Sequence, residues 1–419
     1  MINPNTGLRE LCYLVKIDNI IPIQGSDNCE AAIVGGWQIM VRKNEFKKGD
    51  IAIYFEIDSK VNEKNPVFAF LASKNYKIKT QKYTFGGKGN FISQGLLMAV
   101  NQFPGWEVQV DGTVLDNNSG DHGLHTFYGD SRFLTKDLEV TYAVAEDNKR
   151  KAGSLDKYKK MAQRHPTLFK KKFVRWLMKR DWGKKFLFFF FGKKKDKKTG
   201  FPSHFQYIKP TDEERCENIP NILQNKNPFI KTLKIDGTSS TYILERKRFK
   251  NEFYICSRNV RQLSESQPTF HSENVYWSVE HKYHIKNFLE NMLKQHPEWN
   301  YVALQGETAG VGNNGGKIQG DPHNLKELRF FAFNFIDSEK GRWNSIDGKK
   351  LVEQYDIEWV PIIDENYILP NNFEEFKKSA DGPCDIPGSS GLREGWVYRA
   401  KNDPNFSFKN VSREYLLKN

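Results

Sequence analysis

Short apolar runs broken by polar turns dominate the first quarter of the chain. Cys12 to Ile17, Ala31 to Val41, Ile51 to Ile57 and Gly95 to Val100 alternate apolar and polar residues, with Gly and Asn/Asp turns between them. Successive side chains on a strand point to opposite faces, so this period of two predicts a small antiparallel β-barrel. Beyond Gly200 strands prevail again, with one clear helix from Val275 to Gln295. Its Ile285, Phe288, Leu289, Met292 and Leu293 form an apolar stripe at helical spacing, stopped by Pro297. The fold class reads as α+β in three parts: an antiparallel barrel over 1–118, a linker with an insertion over 119–205, and an α+β domain over 206–419.

The insertion changes the charge picture. In a chain of 419 residues with net charge +13, Asn148 to Gly200 carries 20 Lys and Arg against 3 Asp, so the rest is mildly acidic. Lys170 to Arg180 mixes cations with aromatics, and Phe186 to Phe191 is nearly all phenylalanine, just before Lys193-Lys194-Lys195. Phosphates meet cations and bases stack on rings in an arm that binds RNA. A helical extension with solvated charges fits the same residues, as does a helix lying on a membrane surface. No run has the length and apolarity of a transmembrane span, and no apolar leader opens the chain. Cys12, Cys29, Cys216, Cys256 and Cys384 are scattered, odd in number and without a C-x-x-C pair. That pattern points away from a disulfide framework or zinc site and toward a reducing intracellular compartment, cytoplasm or nucleus.

The candidate chemistry centres on Lys234-Ile235-Asp236-Gly237, a lysine at a strand end followed by an acid and a glycine. This is the form of a lysine nucleophile that takes up a nucleotide, although the four residues alone are a weak signal. With a reference pKa of ~10.4, roughly one amine in 2,500 is neutral at pH 7. A divalent metal, nearby cations and partial desolvation lower that pKa and align a phosphate for attack. Pro228 to Lys234, Ser239 to Arg246 and Glu252 to Ser257 read as an antiparallel meander that returns Arg258 to the side of Lys234. Glu394 and Lys409 lie equally far from a turn at Lys401-Asn402, so a hairpin folded there sets the carboxylate opposite the lysine.

Lys234-Ile-Asp-Gly, Ser257-Arg258, Gly306-Glu307, Phe331-Ala332-Phe333, Glu394-Gly395-Trp396-Val397 and Phe408-Lys409 follow in an order that resembles the covalent nucleotidyltransferases, ATP-dependent polynucleotide ligases and mRNA capping enzymes. Lys209-Pro-Thr-Asp-Glu-Glu-Arg215, Asn218, Ile318-Gln319-Gly320 and Ser407-Phe408-Lys409 narrow the resemblance to RNA ligases. Gly36-Trp37-Gln38, Phe46-Lys47-Lys48-Gly49-Asp50, Tyr54 to Asp58 and Ile92 to Leu96 look like the leading OB domain of the Naegleria-type branch. The resemblance covers nearly the whole chain outside the basic insertion. It implies ATP and Mg²⁺ or Mn²⁺ as cofactors, and RNA 5′-phosphate and 3′-hydroxyl ends as substrates, joined through a lysyl-AMP and an adenylylated RNA end. Lys234, Asp236, Glu394 and Lys409 would be catalytic. Lys234, Arg258, Glu307, Phe333, Glu394 and Lys409 would hold the nucleotide, with Phe333 stacked on adenine. Asp236, Glu307 and Glu394 would serve the metal. Lys43, Lys47 and Lys48 are candidates to meet the leaving phosphates, and a monomer is expected.

Asn334 stands where many relatives carry an acid, Asn313 to Lys317 looks like extra loop, and Lys409 is a single lysine where many ligases present two. Blander readings sit beside each assignment. The barrel can be a scaffold alone, Glu394 and Lys409 an ordinary cross-strand pair, and Phe331, Phe333 and Phe335 one buried face. Gly306 to Gly320 lacks the order of a P-loop. His122, His125, His281 and His284 read as core or edge residues. A DNA ligase, a GTP-using capping enzyme and an RNA-binding protein with a degenerate ligase domain are the alternatives. The sequence stops ten residues after Lys409, without the trailing OB domain expected of the first two.

Overall fold

The computed structural model describes residues 1–3, 8–85, 89–103, 133–143, 174, 177, 180, 200–209, 212–219, 221–267, 269, 271 and 273–418. The basic segment falls almost wholly outside the described residues, as do His122 and His125. In the leading domain Cys12–Lys16, Ile51–Phe55 and Leu96–Ala99 form one antiparallel sheet with Ile51–Phe55 in the centre. Asn19–Pro22, Cys29–Val34 and Trp37–Arg42 form a second sheet. Cys12–Lys16 and Ile51–Phe55 are buried on both faces, so these two strands are nearly continuously apolar rather than alternating as expected. Tyr13, Val15, Ala52 and Tyr54 join one core cluster, and Cys12, Leu14, Ile53 and Phe55 the other. The chain returns to this domain within the stretch read as linker: Leu134, Leu138 and Val140 enter its core, and Thr141–Tyr142 pairs with Ser59–Lys60.

The second domain is built on two five-stranded sheets. One runs Glu214–Arg215, Ser407–Val411, Gly395–Ala400, Phe229–Lys234, Ile362–Tyr367. The other runs Glu252–Ser257, Thr238–Glu245, Tyr301–Gly310, Leu328–Asp337, Gly341–Arg342. The expected three-stranded meander is therefore half right. Thr238–Glu245 and Glu252–Ser257 do pair, but Phe229–Lys234 pairs with Gly395–Ala400 and Ile362–Tyr367 instead. Ile235, Asp236 and Gly237 make no hairpin turn; they carry the chain from one sheet to the other. Only glycine fits at 237, because a Cβ there would run into the Thr308 carbonyl oxygen.

The single expected helix is two, Val275–Tyr283 and Ile285–Gln295. His284 separates them in the left-handed region at φ 50°. The reason lies in the phase of the stripe. Val275, Tyr276 and Val279 are buried on the first helix, and the spacing would place the next buried turn near 282–283 and 286. Burial resumes at Ile285 and Phe288, so the break brings the second apolar face back onto the sheets. His281 and His284 are exposed.

Candidate active site

The two sheets face each other across a cleft of about 340 Å³, whose walls include Asp212, Lys234, Arg258, Glu307, Phe333 and Lys409. Strand register explains the convergence. Thr232 lies opposite Val397, which lies opposite Lys409, and cross-strand partners share a face. Two residues further along the same face, Lys234 ends its strand. Arg258 arrives from the other sheet, just past Ser257. Phe333 is the unpaired residue of a bulge, since Gln305 pairs with Asn334 but Gly306 with Ala332. A bulge re-aims a side chain, and Phe333 borders the cleft while Phe331 and Phe335 are buried in the core.

The hairpin carrying Glu394 and Lys409 forms, but three residues out of the expected register. Lys409 opposes Val397, and the Glu394 carbonyl accepts from Ser412 N at 2.9 Å. The turn is longer and centred on Asp403: its carbonyl accepts from Phe406 N at 3.1 Å, and its Oδ1 from Asn405 N at 3.0 Å. This local hydrogen bonding overrides the Lys401-Asn402 turn. Lys409 and Glu394 are consequently not an ion pair. Glu394 Oε1 lies 2.6 Å from Lys234 Nζ, and Lys409 Nζ donates to Asp212 at 3.1 Å.

Electrostatics differ from the expectation for a poised amine. Burial alone would lower the Lys234 pKa, but the Glu394 oxygen on its amine, with Asp236 and Glu307 nearby, raises it above the ordinary lysine value. The acids bear the complementary strain. Burial, then Glu394 and Asp236, against the pull of Lys234, push Glu307 up to about 8. Burial and Glu394 raise Asp236 to about 6, although Tyr415 and Lys234 oppose them. Three carboxylates thus share one field with one amine, and Glu394 Oε2 is buried with no hydrogen-bond partner among the described residues. That surplus of oxygen donors and negative charge fits a hard divalent cation. Among the described residues, however, no three His, Cys, Asp or Glu side chains gather closely enough to form a direct ligand cage.

Four residues that sequence reasoning did not single out complete the site. The Tyr415 hydroxyl donates to Asp236 Oδ2, and the buried His323 accepts the Asp236 amide on Nε2 at 2.9 Å. Together they fix the turn after the lysine. Arg399 donates to the Phe333 carbonyl at 3.0 Å and to Ser345 Oγ at 3.2 Å, tying down the bulge. Asp212 meets Lys409, Arg258 at 2.9 Å and Arg9 at 3.9 Å. Strand parity with Val397 could have found Arg399, and Asp212 lies within the Lys209–Arg215 stretch. His323 and Tyr415 carry no local signal. Arg9 brings the leading domain to this cluster, whereas Lys43, Lys47 and Lys48 are exposed and do not line the cleft. Tyr415→Phe removes one charge-assisted hydrogen bond from Asp236. It is expected to slow nucleotidyl transfer about tenfold with an unchanged melting temperature, read by single-turnover kinetics and thermal unfolding.

Residues 11–100 match an OB-fold domain, and residues 227–412 match the RNA ligase family. The second domain is that of an RNA ligase. Its architecture, α+β behind an OB domain, is shared over the whole length with solved RNA ligases of Naegleria gruberi. An apo mutant form is 26% identical with TM-score 0.66, covering 98% of this chain and 99% of that one. A mutant with ATP and Mn is 25% identical with TM-score 0.65, covering 98% of each chain. A mutant with AMP and Mn is 26% identical with TM-score 0.66, covering 98% of this ligase and 99% of that one. No curated protein is significantly similar in sequence.

Proposed function

We propose that this ATP-dependent RNA ligase joins RNA 3′-hydroxyl and 5′-phosphate ends with Lys234 as its nucleophile. The observation that carries the assignment is the cleft itself, where Lys234, Arg258, Glu307, Phe333 and Lys409 come from five separate strands or strand ends, with Glu394 and Asp236 beside the Lys234 amine. Lys234 Nζ attacks the α-phosphorus of ATP; the P–N bond forms, the P–O bond to the β-phosphate breaks, and pyrophosphate leaves. AMP then passes to the RNA 5′-phosphate, and the RNA 3′-hydroxyl displaces it to close the strand. Lys409 and Arg258 face the phosphates and offset charge that grows in flight. Phe333 stacks on the base, and Glu307 accepts from the ribose hydroxyls. Asp236 and Glu394, with Glu307 beside them, would hold the water shell of Mg²⁺ or Mn²⁺, which would supply charge neutralisation at the α-phosphate and lower the lysine pKa.

The basic arm over 148–200 is proposed to hold RNA, and the ligase to act as a monomer. No helix among the described residues is long and apolar enough to cross a membrane. Its five cysteines are all unpaired, which suits a reducing compartment.

The test is incubation with labelled ATP or GTP under Mg²⁺ or Mn²⁺, followed by defined RNA and DNA ends. An acid-stable protein–nucleotide bond would point away from a phosphoramidate, so the expected adduct is acid-labile, forms from ATP, and is chased into sealed RNA. Without residues 148–200 the adduct should still form, while RNA binding loses much of its salt dependence. An adduct from GTP alone would mean a capping-type enzyme, sealing of DNA alone a DNA ligase, and no adduct at all a degenerate domain.

A further inference from the structure

Asp212 belongs to no function assigned above, yet it is the point where the cations of the cleft meet. Its carboxylate accepts from Lys409 Nζ at 3.1 Å and from Arg258 Nη2 at 2.9 Å, and lies 3.9 Å from Arg9 Nη1 of the leading domain. Arg9 is itself anchored on the buried Glu56, at 2.8 and 3.1 Å. Three cations crowded about one cleft repel one another, and Asp212 sits among them, with Oδ1 toward Lys409 and Arg9 and Oδ2 toward Arg258. The nearby acids are committed elsewhere. Glu213 takes Arg399 at 3.5 Å and the Ser407 hydroxyl, Glu214 takes Asn218 at 2.8 Å, and Glu394 takes Lys234.

We propose that Asp212 is the positioning residue for Lys409, holding its amine charged and aimed into the cleft while fixing Arg258 and the Arg9 end of the OB domain around the same point. The inference rests on the nucleotidyl-transfer reading of this cleft. Lys409 needs such a partner because it is buried on a strand among like charges. Burial brings its pKa down to about 8, Arg9, Arg215 and Lys234 push the same way, and Asp212 resists. Asp212 is itself held well below the usual carboxylate range: Lys409, Arg9 and Arg258 outweigh its burial. Tyr142, the remaining titratable group beside Arg9 and Asp212, is pushed up to about 12, chiefly by burial, and stays neutral. Lys409 therefore offsets phosphate charge below its pKa and loses that role as pH rises through it. Without the Asp212 carboxylate the loss comes at lower pH.

The experiment is the pH profile of lysyl-AMP formation, measured in single turnover on the full-length protein. In Asp212→Asn the alkaline fall should move down by roughly one pH unit or more, the effect of removing an opposite charge within contact distance. In Lys409→Arg the alkaline fall should vanish, since a guanidinium keeps its charge, and adding Asp212→Asn should not bring it back. A fall that stays in place in Asp212→Asn, or a uniform loss at every pH, would reduce Asp212 to a structural role and overturn the proposal. If Asp212→Asn does not fold, the Lys409→Arg profile decides: an alkaline fall that persists there overturns it equally. Failure of the wild-type protein to form any adduct would instead remove the reading of the cleft on which the inference stands.

Discussion

Lys234→Ala is expected to abolish the lysine-linked adenylate and to cut sealing of 5′-phosphorylated RNA by roughly 10⁴-fold or more. No neighbouring group can take its place. Lys409 is turned to Asp212, Arg258 to the same carboxylate, and a guanidinium is no nucleophile at neutral pH. The chemistry also predicts what survives. Once AMP already sits on the RNA 5′-phosphate, the 3′-hydroxyl is the attacking group and the lysine has no bond to make. Joining of pre-adenylylated RNA by Lys234→Ala should therefore stay within about tenfold of the wild type. Mass spectrometry for an added adenylate checks the first half, and a sealing assay on pre-adenylylated ends the second. Equal loss in both assays would mean that the substitution collapses the cleft, and a surviving adduct would mean that another residue is the nucleophile.

What could be read from the sequence, and what could not, follows the range of the interactions involved. The strand Phe229–Lys234 and the stripe on Ile285–Gln295 depend on local pattern, and both were legible. The partner of that strand was not. A short Ile-Asp-Gly link looks like a hairpin turn, and nothing local says that the next strand belongs to a facing sheet. The register of the Glu394 and Lys409 hairpin was missed by three residues because midpoint symmetry assumes a tight turn, whereas Asp403 organises a longer one through its own side chain and carbonyl. Residues that work by touching another side chain were least visible. Tyr415 reaches Asp236 across 179 positions and Lys409 reaches Asp212 across 197, so only the fold makes them neighbours. Chemical type was more legible than partnership: Lys234, Arg258, Glu307, Phe333 and Lys409 do border one cleft, but Glu394 serves Lys234 rather than facing Lys409.

Glu394→Gln should have two effects that run in opposite directions along the pH axis. Lys234 must lose a proton before its nitrogen can attack, and Glu394, 2.6 Å away, is the main force keeping that proton on. Replacing the carboxylate by an amide removes the largest influence that raises the lysine pKa, while burial, which lowers it, remains. The acid limb of lysyl-AMP formation, where rate climbs as the amine is uncovered, should therefore shift to lower pH. The plateau, by contrast, should fall by about 10²–10³, because the substitution also takes a charged oxygen donor from the group of acids suited to Mg²⁺ or Mn²⁺. The concentration of metal needed for half-maximal rate should rise with it. Single-turnover adenylylation across pH and metal concentration separates the two effects, since one moves the position of the limb and the other its height. A lower plateau with an unmoved limb would show that Glu394 serves only the metal and that the lysine proton is held by Asp236 and Glu307. A moved limb with an undiminished plateau would take Glu394 out of the metal site and leave it as the proton anchor of the nucleophile.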